Sequence, residues 1–414
     1  MMTNCFKVIL LLYHLLQFSA SGNVRVTFEK CEWKGFTCKS SIELPERIDV
    51  TFQCNSTVTG QDIEIYIWSF NAPNTIASLT IQDCEKVHLH FACGDNKAIQ
   101  WLKVRNVETL EIMQPTVTQN PRKVYFENIT SIATLPADSF SQMKNLRYRP
   151  SCGFATNELE GIYFKNVFIG NIETAAFRNL SDIREFEWIN VAVDKISYAA
   201  LNIRFADDGV GSITNCSFGI LEPLAFQVTA DQFSVRGTTI KDLWPSGLNG
   251  TSGNFVFTNN TVNNMQSGSI AMLCQTVLIK FNYFKNVESG AFGKISPGLL
   301  HDSQTHFGKL QFVYDFKSNT IAHVEDKGIR PDIETYRNVA SYLNYTENFL
   351  QCSCESLSWY GADINLGFGY SVLKDFNMMI LNPQNKNNCN FRPCMCFTGS
   401  APENASATLI PAVF

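Results

Sequence analysis

A repeat of about 22 residues through the middle of the chain constrains its fold more than any other feature. Three segments align without gaps: FVFTNNTVNNMQSGSI (255–270), VLIKFNYFKNVESGAF (277–292) and YDFKSNTIAHVEDKGI (314–329). Each reads φ-x-φ-x-x-N-x-φ-x-x-φ-x-x-x-x-φ, with φ apolar. FSVRGTTIKDLWPSGL (233–248), GSITNCSFGILEPLAF (211–226), FEWINVAVDKISYAAL (186–201) and IYFKNVFIGNIETAAF (162–177) keep the same frame. VYFENITSIATLPADSF (124–140) fits with one extra residue, and weaker copies begin at Leu102 and Leu79. The second apolar position falls at 81, 104, 126, 164, 188, 213, 235, 257, 279 and 316. The steps from 126 to 164 and from 279 to 316 are each roughly 15 residues longer than the rest, through an inserted loop or a degenerate coil.

Alternating apolar residues form a short strand with one face turned inward. An asparagine at the following bend satisfies backbone groups as the chain turns away. One coil cannot bury its own apolar face, so neighbouring coils must stack. The pattern therefore predicts a solenoid, mostly β or α/β. Asn260, Asn282 and Asn319 hold the bend position, as do Cys84, Cys216 and Thr238. Val107, Val167 and Val191 depart from it, with Asn106, Asn166 and Asn190 one residue earlier, which predicts a slightly shifted turn in those coils. Phe140, Phe177, Phe226 and Phe292 form a matching aromatic column.

This frame resembles the leucine-rich repeat of extracellular proteins. The resemblance implies a horseshoe of about ten coils over residues 76–340, with a parallel concave sheet and disulfide-bonded caps. NFLQCSCESLSW (348–359) resembles the opening of that family's C-terminal cap, placing a cysteine-rich cap at 341–398 and a tail at 399–414. Cys352, Cys354, Cys389, Cys394 and Cys396 would be its disulfide cysteines. Residues 22–75 are the expected N-terminal cap, with Cys31, Cys38 and Cys54 in it and Cys84 and Cys93 beyond. Their spacing departs from the family's compact cap. A right-handed parallel β-helix is the alternative fold.

The N-terminus points to secretion. Lys7 precedes an apolar stretch over 8–18 and then SASG, the pattern of a signal peptide over residues 1–21 cleaved after Ser21 or Gly22. The stretch is too short for the ~30 Å of a bilayer core, and no later run resembles a transmembrane segment. Asn55, Asn128, Asn179, Asn215, Asn249, Asn259, Asn344 and Asn404 lie in Asn-x-Ser/Thr sequons, as a glycosylated extracellular surface requires. Of 14 cysteines, Cys5 leaves with the signal, and their clustering at both ends reads as disulfide staples. The remaining odd number leaves at least one thiol outside intramolecular disulfides, with Cys216 the candidate. A net charge of −5 without a basic run gives no footprint for nucleic acid.

Candidate chemistry is sparse. Cys352/Cys354 and Cys394/Cys396 resemble zinc ligands in spacing, but cap disulfides suit an oxidising compartment better. His88 and His90 share a strand face without a visible third ligand. Asp207-Asp208-Gly209 has the paired carboxylates of some β-helix polysaccharide hydrolases, but reads as a turn between coils. No metal, cofactor or catalytic residue is expected.

What remains is the sheet surface. Alternation with the inward pairs Leu102/Val104, Val124/Phe126 and Ile162/Phe164 sends Trp101, Lys103, Arg105, Lys123, Tyr125, Glu127, Tyr163 and Lys165 outward, with Glu185 and Glu187 beyond. Aromatic rings beside charges are the composition of a protein-binding surface. The expectation is a secreted, non-catalytic protein that binds an extracellular protein or glycoprotein through Trp101, Lys103, Arg105, Tyr125, Tyr163, Lys165 and Glu187. A polysaccharide-acting enzyme and an accessory subunit of an extracellular assembly are the alternatives. Oligomeric state is not readable from the sequence.

Overall fold

The computed structural model describes residues 23–26, 36–44, 47–54, 62–66, 76–90, 100–113, 121–140, 159–298, 311–332, 340–350, 371–380 and 395–396. Every regular element among them is a β-strand, so the mostly-β branch of the expectation holds. The chain divides into two compact units, Met1–Ala230 and Asp231–Phe414. Each unit is built of parallel strands stacked coil on coil, a β-solenoid.

In the first unit, Ile76–His90, Trp101–Met113, Lys123–Leu135, Gly161–Ile172, Phe177–Ile196 and Leu201–Thr214 pair in succession, all parallel. The antiparallel exception is Phe36–Ser40, which pairs with Ile48–Gln53. Phe126 is the direct partner of Phe164. The long step between them is therefore an insertion that places no further strand between these two. The extra residue of the 124–140 repeat is a bulge: the four residues Ile129 to Ile132 oppose the three from Val167 to Ile169. Gly170 makes room there, because a Cβ on it would lie 2.6 Å from the Ala133 carbonyl oxygen.

In the second unit, Leu248–Thr258, Ile270–Lys280, Gln311–Lys317, Ala340–Leu350 and Ser371–Ile380 form one run of parallel strands. Thr239–Leu243, Thr261–Met265, Tyr283–Val287 and Thr320–Val324 form another, also in register. Ile279 pairs directly with Phe316, so this long step is also an insertion.

The inward pairs of the repeat build the core. Leu102, Val104, Val124, Phe126, Ile162, Phe164, Phe186 and Trp188 are all buried. Phe126 stacks on Phe164 with ring centroids 4.9 Å apart, and Phe140 stacks on Phe177 at 4.8 Å. Phe226 and Phe292 are also buried, each at the same stage of its own coil. In the second unit Tyr314 and Tyr345 are fully buried, and both phenols donate to the Ile329 carbonyl, at 3.2 and 3.3 Å. Rings stacked coil on coil bury large apolar area and add edge and face contacts of about 0.5–1.5 kcal/mol per pair.

The bends after the inward pairs use two residue solutions. In the first unit the register is continuous through Cys84, Val107, Ile129, Val167 and Val191, so the shifted turn expected at the valines does not occur. The residue before each takes a left-handed conformation: Asp83, Asn106, Asn128, Asn166 and Asn190 have φ between 53° and 57°. Asparagine and aspartate tolerate this region far better than other side-chain-bearing residues. Their exposed side chains bond from coil to coil: Asn106 donates to Asp83 at 2.8 Å, Asn128 to Asn106 at 3.0 Å, Asn166 to Asn128 at 2.8 Å and Asn190 to Asn166 at 3.0 Å.

In the second unit the asparagine moves inside. Asn260, Asn282 and Asn319 are 1%, 2% and 0% exposed, as the frame predicts, and Asn348 adds a fourth rung at 0%. The backbone N–H of Thr238, Asn260, Asn282 and Asn319 each donates to the carboxamide oxygen one coil on, at 2.8 to 3.0 Å. The four amide groups donate in turn to the carbonyls of Val235, Phe257, Ile279 and Phe316. Each side chain thus satisfies a buried donor and a buried acceptor that a tight bend would otherwise orphan.

Candidate functional site

The sheet face of the first unit brings the predicted surface residues into three adjacent rows. Parallel register places Lys103, Tyr125, Tyr163 and Glu187 in one row. Trp101, Lys123, Gly161 and Glu185 form the second, and Arg105, Glu127 and Lys165 the third. Lys103, Arg105 and Lys165 are exposed, while Trp101, Tyr125, Tyr163 and Glu187 are half-buried.

At the centre, the rings of Tyr125 and Tyr163 lie parallel, 4° apart in plane, with centroids 4.3 Å apart. The Lys103 ammonium lies 5.3 Å from the Tyr125 ring centre and the Lys123 ammonium 5.9 Å from that of Tyr163. Both distances fall within the ~6 Å reach of a cation–π contact. Lys123 reaches past one coil to Glu185, Nζ to Oε2 3.1 Å. Gly161 permits this, since its position between them carries no side chain. A Cβ there would come within 2.8 Å of Tyr163 Cε2 and 3.2 Å of Lys123 Cγ. The Tyr163 ring covers the glycine, and the lysine stem passes beside it.

The electrostatics follow from this packing. Burial raises the Tyr125 phenol above its ordinary value; Lys123 opposes the shift, and Glu185, Glu43 and Glu127 add to it. Tyr125 is therefore a neutral hydroxyl at physiological pH, able to donate and accept. Arg105 is held along the sheet by Gln82, Nε to Oε1 2.8 Å. Lys103, Arg105 and Lys123 sit with Glu127 on the two earlier strands, Lys165 on the next and Glu185 and Glu187 on the last, so positive charge predominates toward the earlier strands and the last strand is acidic. The two tyrosine rings are stacked on each other, which leaves their edges and hydroxyls and the flanking charges for a partner.

The other candidates are placed differently. His88 Nδ1 lies 2.8 Å from Glu111 Oε2, so a carboxylate already faces this ring nitrogen. Asp207 and Asp208 are exposed at an irregularity inside Leu201–Thr214, where the six residues Phe205 to Val210 oppose the three from Ile183 to Glu185. The expected turn is thus a bulge of three extra residues. Among the described residues no cluster of His, Cys, Asp or Glu is arranged to hold a metal ion. No helix among them is long and apolar enough to cross a membrane.

Cys54 and Cys84 form a disulfide, with Cα atoms 5.0 Å apart, and Cys38 is also disulfide-bonded. Cys216 and Cys274 are buried thiols outside any disulfide, and burial raises the Cys216 pKa to about 12. Cys31, Cys93, Cys352, Cys354, Cys389 and Cys394 lie outside the described residues, as do Asn55, Asn404, the signal segment and the tail. Cys396 falls in the two-residue strand Met395–Cys396. Sequons Asn128, Asn179, Asn215 and Asn259 are exposed, each in a left-handed corner, whereas Asn249 and Asn344 are half-buried.

Two contributors escaped the sequence pattern. Gly161 precedes an inward pair by one residue and reads as an ordinary strand start; a glycine two residues before an outward tyrosine is the available signal. Glu43 comes from a segment far away in sequence, and nothing local announces it. No family model, curated protein or solved structure matches the chain.

Proposed function

We propose that the chain is a secreted, glycosylated binding protein of the leucine-rich-repeat type. In this reading it is not an enzyme and holds a protein partner on the sheet face of its first unit. The observation that carries it is the Tyr125–Tyr163 stack, fixed by Gly161 and flanked by Lys103 and Lys123 on one side and Glu185 and Glu187 on the other. Rigid strands hold these groups before any partner arrives, which lowers the ordering cost of association. Tyrosine adds contact area at small rotamer cost, and the two-ended charge pattern selects a partner with the opposite polarity. The repeat type is supported by the φ-x-φ-x-x-N frame and its buried asparagine rungs. Secretion is supported by the N-terminal apolar segment, the sequons and the Cys54–Cys84 disulfide.

The test is capture of partners from extracellular fluid by the full chain and by a Lys103→Glu/Tyr125→Ala variant matched for circular dichroism. Loss of a central anchor weakens a protein interface about tenfold or more. Unaltered affinity of the variant removes the face from the proposal.

A parallel β-helix is the second reading. It is favoured by the second run of strands in each coil, such as Thr261–Met265 and Tyr283–Val287. With it comes the enzymatic alternative, for which the exposed Asp207 and Asp208 are the candidate carboxylates. Release of reducing ends from polysaccharide, lost on Asp208→Asn, would support that alternative over binding.

A further inference from the structure

The second unit exposes an aromatic patch at one corner. Phe281 is 58% exposed, Tyr283 41% and Phe349 36%. Tyr283 pairs with Thr320 and Thr320 with Phe349, so the last two rings share an outward row with one threonine between them. Phe281 stands at the bend two residues before Tyr283, with φ 58°. A bulky side chain in this region is a genuine outlier, where glycine, asparagine or serine costs less. The equivalent bends of this unit hold Gly237, Asn259, Ser318 and Glu347, so Phe281 is the one apolar side chain among them. Neither the backbone nor the core explains it.

Its neighbour does. Asn259 occupies the same bend one coil earlier, with φ 56° and an exposed side chain. Thr258 pairs with Lys280 and Thr261 with Tyr283, so Asn259 and Phe281 lie side by side at the strand spacing of about 4.8 Å. Asn259 begins the sequon Asn259-Asn260-Thr261. The outer-ladder sequon Asn128 has its amide bonded to Asn106 and Asn166, but no side-chain bond of the Asn259 amide occurs among the described residues. Its Nδ2 can therefore take a substituent without losing a contact. Among the described residues, no other sequon has an aromatic residue at the equivalent position of an adjacent coil in its own unit.

We propose that Asn259 is N-glycosylated and that its first N-acetylglucosamine lies on the Phe281 ring, with Tyr283 extending the platform. Transfer forms a bond from Nδ2 to the anomeric carbon of a lipid-diphosphate-linked oligosaccharide. The carbon–oxygen bond to the diphosphate breaks, one amide proton leaves, and one N–H stays. The sugar's axial C–H groups carry partial positive charge and meet the negative ring face. The sugar covers apolar surface that would otherwise be an association liability. This explains why the bulky ring sits at a corner suited to asparagine.

The inference rests on the secretory reading, and the test separates the two. The full chain is expressed in a eukaryotic secretory host, and each sequon's occupancy is measured by peptide mass. Thermal midpoints are then compared for the parent, Asn259→Gln, Phe281→Asn and the double variant. Phe281→Asn removes the ring yet suits the left-handed bend, and it creates no new sequon. Asn259→Gln should lower the midpoint by about 2–4 °C in the parent and not at all in the Phe281→Asn background. One N-acetyl methyl resonance should be ring-shifted upfield in the parent and return to its ordinary position in Phe281→Asn. Bare asparagine at every sequon overturns the secretory reading and this inference with it. Asn259 bare while other sequons are occupied overturns this inference alone, as does an equal midpoint loss in both backgrounds.

Discussion

Replacing Asn282 by leucine removes one rung of the inner ladder while nearly preserving volume. The native side chain accepts the Asn260 N–H at 2.8 Å and donates to the Phe257 carbonyl at 2.9 Å. It also donates to Asn319 Oδ1 at 2.9 Å, but that oxygen still receives the Asn282 backbone N–H at 3.0 Å. Leucine therefore strands two buried backbone groups. At about 1–3 kcal/mol for each, the expected loss is about 2–6 kcal/mol. The matched control is Asn166→Gly in the outer ladder. Glycine adopts the φ of 54° freely, and the two bonds lost there are solvent-exposed, so the change should cost about 0.5 kcal/mol. Two units need not unfold in one transition, so amide hydrogen exchange is the better assay. Core amides of the second unit should exchange about 30-fold faster or more in Asn282→Leu, with Asn260 among them. Equal exchange in the two variants would refute the claim that the buried rungs hold these bends.

Gly161→Ala should displace the Tyr163 ring and break the Tyr125 stack while leaving far-ultraviolet circular dichroism unchanged; a near-ultraviolet spectrum identical to the parent's would contradict the packing argument. Cys216 and Cys274 should resist alkylation in the folded protein at pH 8–9, because burial raises both thiols, and react fully once unfolded. Rapid labelling of either under native conditions would count against their placement. Burial raises the phenol pKa of Tyr125 and Tyr314, so above the ordinary tyrosine value of about 10 the unfolded chain binds fewer protons than the folded one. Stability should then fall as pH climbs past that value, and Tyr314→Phe should lessen the fall; a pH-independent midpoint between pH 9 and 11 would show otherwise.

Alternation made the core legible, because a strand side chain has only two directions and the inward pairs were apolar in every coil. That logic also put Lys103, Tyr125 and Tyr163 on one face. It could not show that the two rings would stack. Stacking depends on Gly161, and on a register that leaves Phe126 directly beside Phe164 despite the length of chain between them. The same length made the insertion ambiguous, since counting residues does not distinguish a loop from a coil that has lost its pattern.

The bends were half legible for a different reason. The frame assigned the asparagine to the inside of the turn, where Asn260, Asn282 and Asn319 are found. Asn106, Asn166 and Asn190 looked displaced by one residue, as though their coils turned in a slightly shifted register. In fact the turn is the same and its chemistry is divided between two positions. One must adopt a left-handed backbone and the next must point inward. Asparagine is suited to both, to the first by its tolerance of positive φ and to the second by a carboxamide that matches a peptide group. A valine following a left-handed asparagine and a buried asparagine following almost anything are therefore alternative solutions of one corner. The outer position keeps its left-handed backbone in both units, at φ 55° to 61° in the second. Phe281 therefore stands at its corner against its own backbone preference, which leaves the ring's contacts outside the chain to offset that cost.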